Sequence, residues 1–130
     1  VRILIADNNE MVRSRLTGIL SSVPDWQVRG QAVDGQDAIQ KAAESLPDII
    51  PLDIGMPGLG GLETARLLQQ KIPTAKILIM TQHDPIPFLP SALAVGAHAC
   101  VEKSRFGTQL LTLIKNFTQP SEPLQIAAAS

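Results

Sequence analysis

Short apolar runs alternate with stretches of helical spacing along most of the chain. Residues 1–6 (VRILIA) read as a strand that stops at Asp7. From Met11 the apolar residues Val12, Leu16, Ile19 and Leu20 recur at helical spacing as far as Pro24. Residues 26–33 (WQVRGQAV) alternate as a half-buried strand does, and Asp34 then offers an N-cap to a stripe of Ala38, Ile39, Ala42, Ala43 and Leu46. Residues 49–53 form a third strand candidate, followed by the loop GMPGLGG and a helix marked by Leu62, Ala65, Leu67 and Leu68. Residues 76–80 and 97–101 are the fourth and fifth apolar runs. Between them, residues 86–95 have helical spacing broken by proline, and Phe106, Leu110, Leu111, Leu113 and Ile114 mark a last amphipathic helix. Five strands alternating with five helices predict an α/β domain, a doubly wound parallel sheet covered on both faces. After Phe117 the pattern stops, so residues 118–130 read as a tail or the start of a linker.

Composition narrows the function. At 130 residues there is one domain with a real core. Eleven Lys and Arg against twelve Asp and Glu leave a formal charge of −1, which argues against holding nucleic acid or an anionic membrane by bulk charge. Trp26, Phe88, Phe106 and Phe117 are the only aromatics, too few for a base-stacking surface. Cys100 stands alone, which removes an internal disulfide and a cysteine-based zinc site. No apolar run could span a bilayer, and no basic stretch ahead of a long apolar one opens the chain, so a reduced, cytoplasmic domain is expected.

In an open parallel sheet, ligands bind beyond the carboxyl ends of the strands, where the strand order reverses. The residues at those ends are Asp7 and Asn8, Asp53, Thr81 and Lys103. Any one of them alone would be an ordinary solvated loop residue. Two carboxylates, an amide, a hydroxyl and an ammonium converging on one edge constitute a candidate site.

These landmarks carry a family resemblance. ILIADNNE at the first strand, LDIGMPGLGGLE around Asp53, ILIMTQHD around Thr81 and GAHACVEKS around Lys103 resemble the receiver domain of two-component response regulators, most closely those that precede a helix-turn-helix output domain. The resemblance covers residues 1–117 and implies a flavodoxin-like (βα)5 fold of strand order 2-1-3-4-5. It implies that Asp53 accepts a phosphoryl group from a sensor histidine kinase. It further implies Mg²⁺ held by Asp7, Asn8, Asp53 and the carbonyl of Gly55, with Thr81 and Lys103 contacting the phosphoryl oxygens. On this reading the chain is a phosphoacceptor that assists only its own phosphorylation and dephosphorylation, not an enzyme. Its output domain lies outside this chain, a homodimer forms through the fourth and fifth helices, and neither nucleic acid nor membrane is bound directly.

Four departures bear on that picture. Asn8 stands where the family has a second acid, so metal affinity should fall. Pro51 lies inside the third strand, which should be central, so either the strand is irregular near Asp53 or the missing donor falls where it does no harm. Cys100 occupies the position of the family's switch aromatic and is read as a small buried apolar residue. Asp84-Pro85 is a good start for a fourth helix, but Pro90 would fall in its interior, so the helix should begin late, near Ser91, or kink. His83 and His98 lack a metal-ligand pattern and are read as surface residues. Two further readings compete with the phosphoacceptor. One is a degenerate receiver serving as an interaction or dimerisation module; the other is a flavin or nucleotide binder on the same topology, disfavoured because no Gly-rich turn follows Ala6.

Overall fold

The computed structural model describes residues 1–103, 109–118 and 128–129. The strands are β1 (Arg2–Ala6), β2 (Gln27–Ala32), β3 (Ile49–Asp53), β4 (Lys76–Thr81), β5 (Ala99–Glu102) and a two-residue β6 (Ala128–Ala129). The helices are α1 (Glu10–Ser21), α2 (Gly35–Ser45), α3 (Gly61–Lys71), α4 (Leu89–Ala94) and α5 (Leu111–Phe117). All strand pairings are parallel, in the order β2-β1-β3-β4-β5-β6. The five expected strands thus take the expected order. The sixth was not legible: Ala128 and Ala129 pair with Cys100 and Val101 at the outer edge of β5. Phe106, assigned above to the last helix, lies outside the described residues.

Side-chain alternation along the strands builds two core layers. Ile3 and Ile5 of β1, with Leu78 and Met80 of β4, pack on Leu16 and Leu20 of α1 and on Leu113 and Ile114 of α5. On the opposite face Leu4, Ile50, Leu52, Ile77 and Ile79 meet Ala38 and Ala42 of α2, Ala65 and Leu68 of α3 and Ala92 of α4. Strands buried on both faces read as unbroken apolar runs, which is why β1, β3 and β4 stand out in the sequence. Each fully buried Leu or Ile contributes about 1.5–3 kcal/mol. No helix among the described residues is long and apolar enough to cross a membrane.

The two proline questions resolve through position. Pro51 causes no slip: β3 pairs with β4 residue by residue, and its β1 partners Ile3↔Ile49 and Ala6↔Leu52 keep one offset. Ile54 N–H donates to Met80 O on the β4 side, so by alternation the Pro51 nitrogen faces β1, where a single ladder bond is forgone. The register shift in the sheet falls elsewhere, between Ile3 and Leu4 on the β2 side. Pro90 is also harmless, because the fourth helix begins late, at Leu89, two residues ahead of Ser91. A 3₁₀ turn over Ile86–Phe88, with Ile86 N–H bonded to Asp84 Oδ1, hands over to α4 at Leu89. Pro90 then lies in the first turn of α4, where no backbone donor is needed.

Candidate functional site

The strand order reverses around β1, which lies between β2 and β3. Asp7 and Asp53 therefore emerge side by side at the carboxyl edge, and both are buried. The turn after β1 fixes Asp7 on every side. Its N–H donates to Ala32 O (3.0 Å), its carbonyl accepts from Arg13 Nη1 (2.8 Å), and its Oδ1 accepts from Asn9 N–H (2.8 Å). Asn9 in turn caps α1, with Oδ1 accepting from Met11 N–H and Val12 N–H. Asp7 Oδ2, fully buried, faces Lys103 Nζ at 2.7 Å and takes no other hydrogen bond among the described residues.

The same ammonium lies 3.1 Å from Asp53 Oδ1, which also accepts from Gly55 N–H at 3.0 Å. Both contacts fall on one oxygen, so Oδ2 of Asp53 is without a hydrogen-bond partner among the described residues. The loop beyond is shaped by glycine. Gly60 adopts φ +77°, and Gly61 N–H bonds Ile54 O (3.1 Å) so closely that a Cβ there would lie 2.4 Å from Asp53 O. Asp53 lines a cavity of about 230 Å³ together with Asn8, Ile54, Gly55, Thr81, Gln82, His83 and Phe88. Thr81 is buried, and its Oγ1 accepts from His83 N–H at 3.1 Å. A second depression, between Asp34–Gln36 and Pro57–Leu59, gathers no convergent chemistry, since the Asp34 carboxylate is engaged in capping α2 through Asp37 N–H.

The five strand-end residues thus converge on one edge. Two carboxylates and one ammonium leave the cluster with a formal charge of −1, which suits a cation. Of the expected ligands, the Asp53 carboxylate and the Asn8 amide line the cavity, and the Asp7 carboxylate adjoins Asp53 through Lys103; all three offer oxygen donors. Such hard donors match Mg²⁺, and the buried, under-bonded Asp7 Oδ2 is an oxygen a cation could take over. No group of three His, Cys, Asp or Glu side chains with metal-binding arrangement occurs among the described residues. Asn8, an amide and exposed, adds no third carboxylate to Asp7 and Asp53.

Two members of the site were not found from sequence. The side-chain pattern does not single out Arg13, yet it holds the Asp7 carbonyl and bonds Gln31 Oε1 through Nε (3.3 Å). Phe88 falls in the proline-broken segment, where the sequence gives it no role, yet it lines the cavity. The expected surface position of His98 is corrected: it is buried at the far end of the sheet, its Nδ1 accepting from Ile77 N–H (3.3 Å) and its ring edge-on to Phe117. Burial, reinforced by the Lys76 charge, lowers its pKa. Cys100 is fully buried as expected, and desolvation pushes its thiol up to about 11.

Comparison with known proteins agrees with this arrangement. A family model described as the response regulator receiver domain matches residues 3–115. The response regulator GacA of Pseudomonas viridiflava is 33% identical over 115 residues, covering 88% of this chain and 54% of that protein. The chain therefore spans about half the length of that curated relative. Among solved structures, a two-component response regulator of the LuxR family from Aurantimonas sp. SI85-9A1 superposes with a TM-score of 0.82 at 32% identity, covering 88% of this chain and 81% of that one. The response regulator domain of Thermotoga maritima CheB gives a TM-score of 0.80 at 29% identity, covering 88% and 93%. With the match running from β1 into α5, and a lysine after β5 joining the carboxylates that end β1 and β3, the chain belongs to the response regulator receiver domain family.

Proposed function

We propose that this domain accepts a phosphoryl group on Asp53 and relays a kinase signal to an output domain. The observation that carries the reading is the Lys103 ammonium joining Asp7 Oδ2 and Asp53 Oδ1 beside a cavity that Thr81 and Asn8 also line. Lys103 and Gly55 N–H hold Oδ1 of Asp53, leaving Oδ2 as the nucleophile. Attack of Oδ2 on phosphorus forms the new P–O bond, while the bond to the donor breaks and its electron pair leaves with the donor. Charge on the equatorial oxygens must be neutralised by groups already in place. Lys103 supplies one positive charge, and the Thr81 hydroxyl is set at the cavity wall to donate to a phosphoryl oxygen. Asp7, Asn8, Asp53 and the Gly55 carbonyl would hold Mg²⁺, which supplies further charge neutralisation when bound.

The kinase donor, the output domain beyond this chain, a cytoplasmic setting and homodimerisation through α4 and α5 belong to the same proposal. So do the division into a receiver over residues 1–117 with a following linker and a role limited to the domain's own phosphorylation and dephosphorylation. Incubation with acetyl phosphate and Mg²⁺ tests it by intact mass. The wild type should gain one phosphoryl group, and neither Asp53→Asn nor the wild type in EDTA should. The buried Cys100 favours a second reading, an interaction module that needs no phosphorylation, because a small side chain stands where the switch aromatic would be. A wild-type protein that takes up no phosphoryl group at high donor concentration would decide for it.

A further inference from the structure

Phe88 is the one benzenoid ring among the described residues that line the Asp53 cavity. It also packs against the apolar cluster that contains Cys100 and Ala92, and so bridges core and cavity. Its backbone is braced at the junction of two short helical pieces. Phe88 N–H closes the 3₁₀ turn on Pro85 O (3.0 Å), and prolines stand in the first turn of both the 3₁₀ segment and α4. The cavity of about 230 Å³ has room for a phosphoryl group and several waters, each claiming roughly 30 Å³. Size alone therefore does not keep water from phosphorus.

An acyl phosphate on Asp53 is lost when water forms a P–O bond in line with the bond to Oδ2. That bond then breaks, its electron pair returns to the carboxylate, and the water proton passes to solvent as inorganic phosphate leaves. We propose that Phe88 shields the acyl phosphate on Asp53 from water and thereby sets its lifetime. The inference rests on the phosphoacceptor reading. An apolar side chain offers the attacking water neither a hydrogen bond nor a base, and it occupies space in which that water would otherwise be ordered.

The test compares wild type, Phe88→Leu and Phe88→Ala. Each is phosphorylated with acetyl phosphate and Mg²⁺, freed of donor, and followed by intact mass, with melting temperature recorded in parallel. Phe88→Ala should shorten the lifetime about three- to tenfold, the effect of a barrier lowered by up to about 1.4 kcal/mol. Phe88→Leu, which keeps apolar bulk, should stay near wild type. Equal lifetimes for Phe88→Ala and wild type, or a Phe88→Leu lifetime as short as that of Phe88→Ala, would overturn the proposal. If Phe88→Ala loses its melting transition, Phe88→Val replaces it: a lifetime graded with side-chain size supports the shield, and an ungraded one removes it. Failure of the wild type to form any adduct removes the phosphoacceptor reading and the shield with it, an outcome distinct from an adduct whose lifetime ignores residue 88.

Discussion

Replacing Lys103 by Met removes the ammonium 2.7 Å from Asp7 Oδ2 and 3.1 Å from Asp53 Oδ1 while keeping an unbranched apolar stem. Burial decides the magnitude. The three side chains are 10%, 0% and 6% exposed, so the cluster belongs with buried pairs, whose disruption costs about 3–5 kcal/mol, and not with exposed pairs worth about 0–1 kcal/mol. At an effective dielectric constant of about 20, unit charges about 3 Å apart attract by roughly 5 kcal/mol before desolvation is subtracted, which is the same order. Urea unfolding in EDTA at neutral pH, followed by the partly buried Trp26, measures the loss. With a slope of about 1–3 kcal/mol/M, the midpoint should fall by at least about 1 M. Saturating Mg²⁺ should narrow the gap, because a cation bound only by the native state adds stability by mass action and the variant presents two uncompensated carboxylates. Arg2→Met, which breaks the exposed pair with Asp48, is the control and should lose about 0–1 kcal/mol. A Lys103→Met loss no larger than the control would make Lys103 a solvated neighbour rather than the bridge between the two carboxylates.

Three further outcomes follow from single side chains. Asn8→Asp adds a charge at an exposed position on the cavity wall; it should gain about 1–2 kcal/mol with a divalent cation, tightening the Mg²⁺ Kd roughly tenfold. An unchanged Kd by titration would mean that Asn8 does not face the metal. Burial and Lys76 lower the His98 pKa from its ordinary 6.5, so below that value the unfolded chain binds a proton that the native state refuses. Stability should therefore be full above the ordinary value and fall as pH drops towards the lowered native one, by at most about 1.4 kcal/mol per pH unit. His98→Asn, whose amide oxygen can still accept from Ile77 N–H, should flatten that slope in urea titrations; parallel slopes would assign it to other groups. Cys100, fully buried with its thiol pushed up to about 11, should react with a disulfide reagent at least about a thousandfold more slowly in the native protein than in urea, because reaction waits on opening. Rapid labelling of the native state would contradict that environment.

The site was legible where strand ends coincide with polar residues. Asp7, Asp53 and Thr81 each close an apolar run, and parallel strands bring such ends together without further information. Lys103 follows the same logic one residue beyond β5. His98 was misread because it sits among small residues, GAHAC, with no periodicity of its own. The usable signal was that Ala97, Ala99 and Cys100 are all apolar, so a polar residue among them needs a buried partner, and it finds one in Ile77 N–H. Arg13 was not legible because its target is a backbone carbonyl, which the side-chain pattern does not show. Pro51 and Pro90 turned on which neighbour a nitrogen faces and where a 3₁₀ turn becomes α-helix. Those are properties of the assembled chain, not of local composition. Phe88 reached the cavity through the same 3₁₀ turn.

The position of the phosphoryl group separates Asp53 from every other acceptor. After reaction with acetyl phosphate and Mg²⁺, borohydride reduction converts a phosphorylated aspartate to homoserine, and peptide mapping locates it. Homoserine at position 53 alone, on the side chain whose Oδ1 is held by Lys103 and Gly55, is the predicted result. Homoserine at position 7, or an unreduced sequence from a protein carrying the full phosphoryl mass, would contradict it.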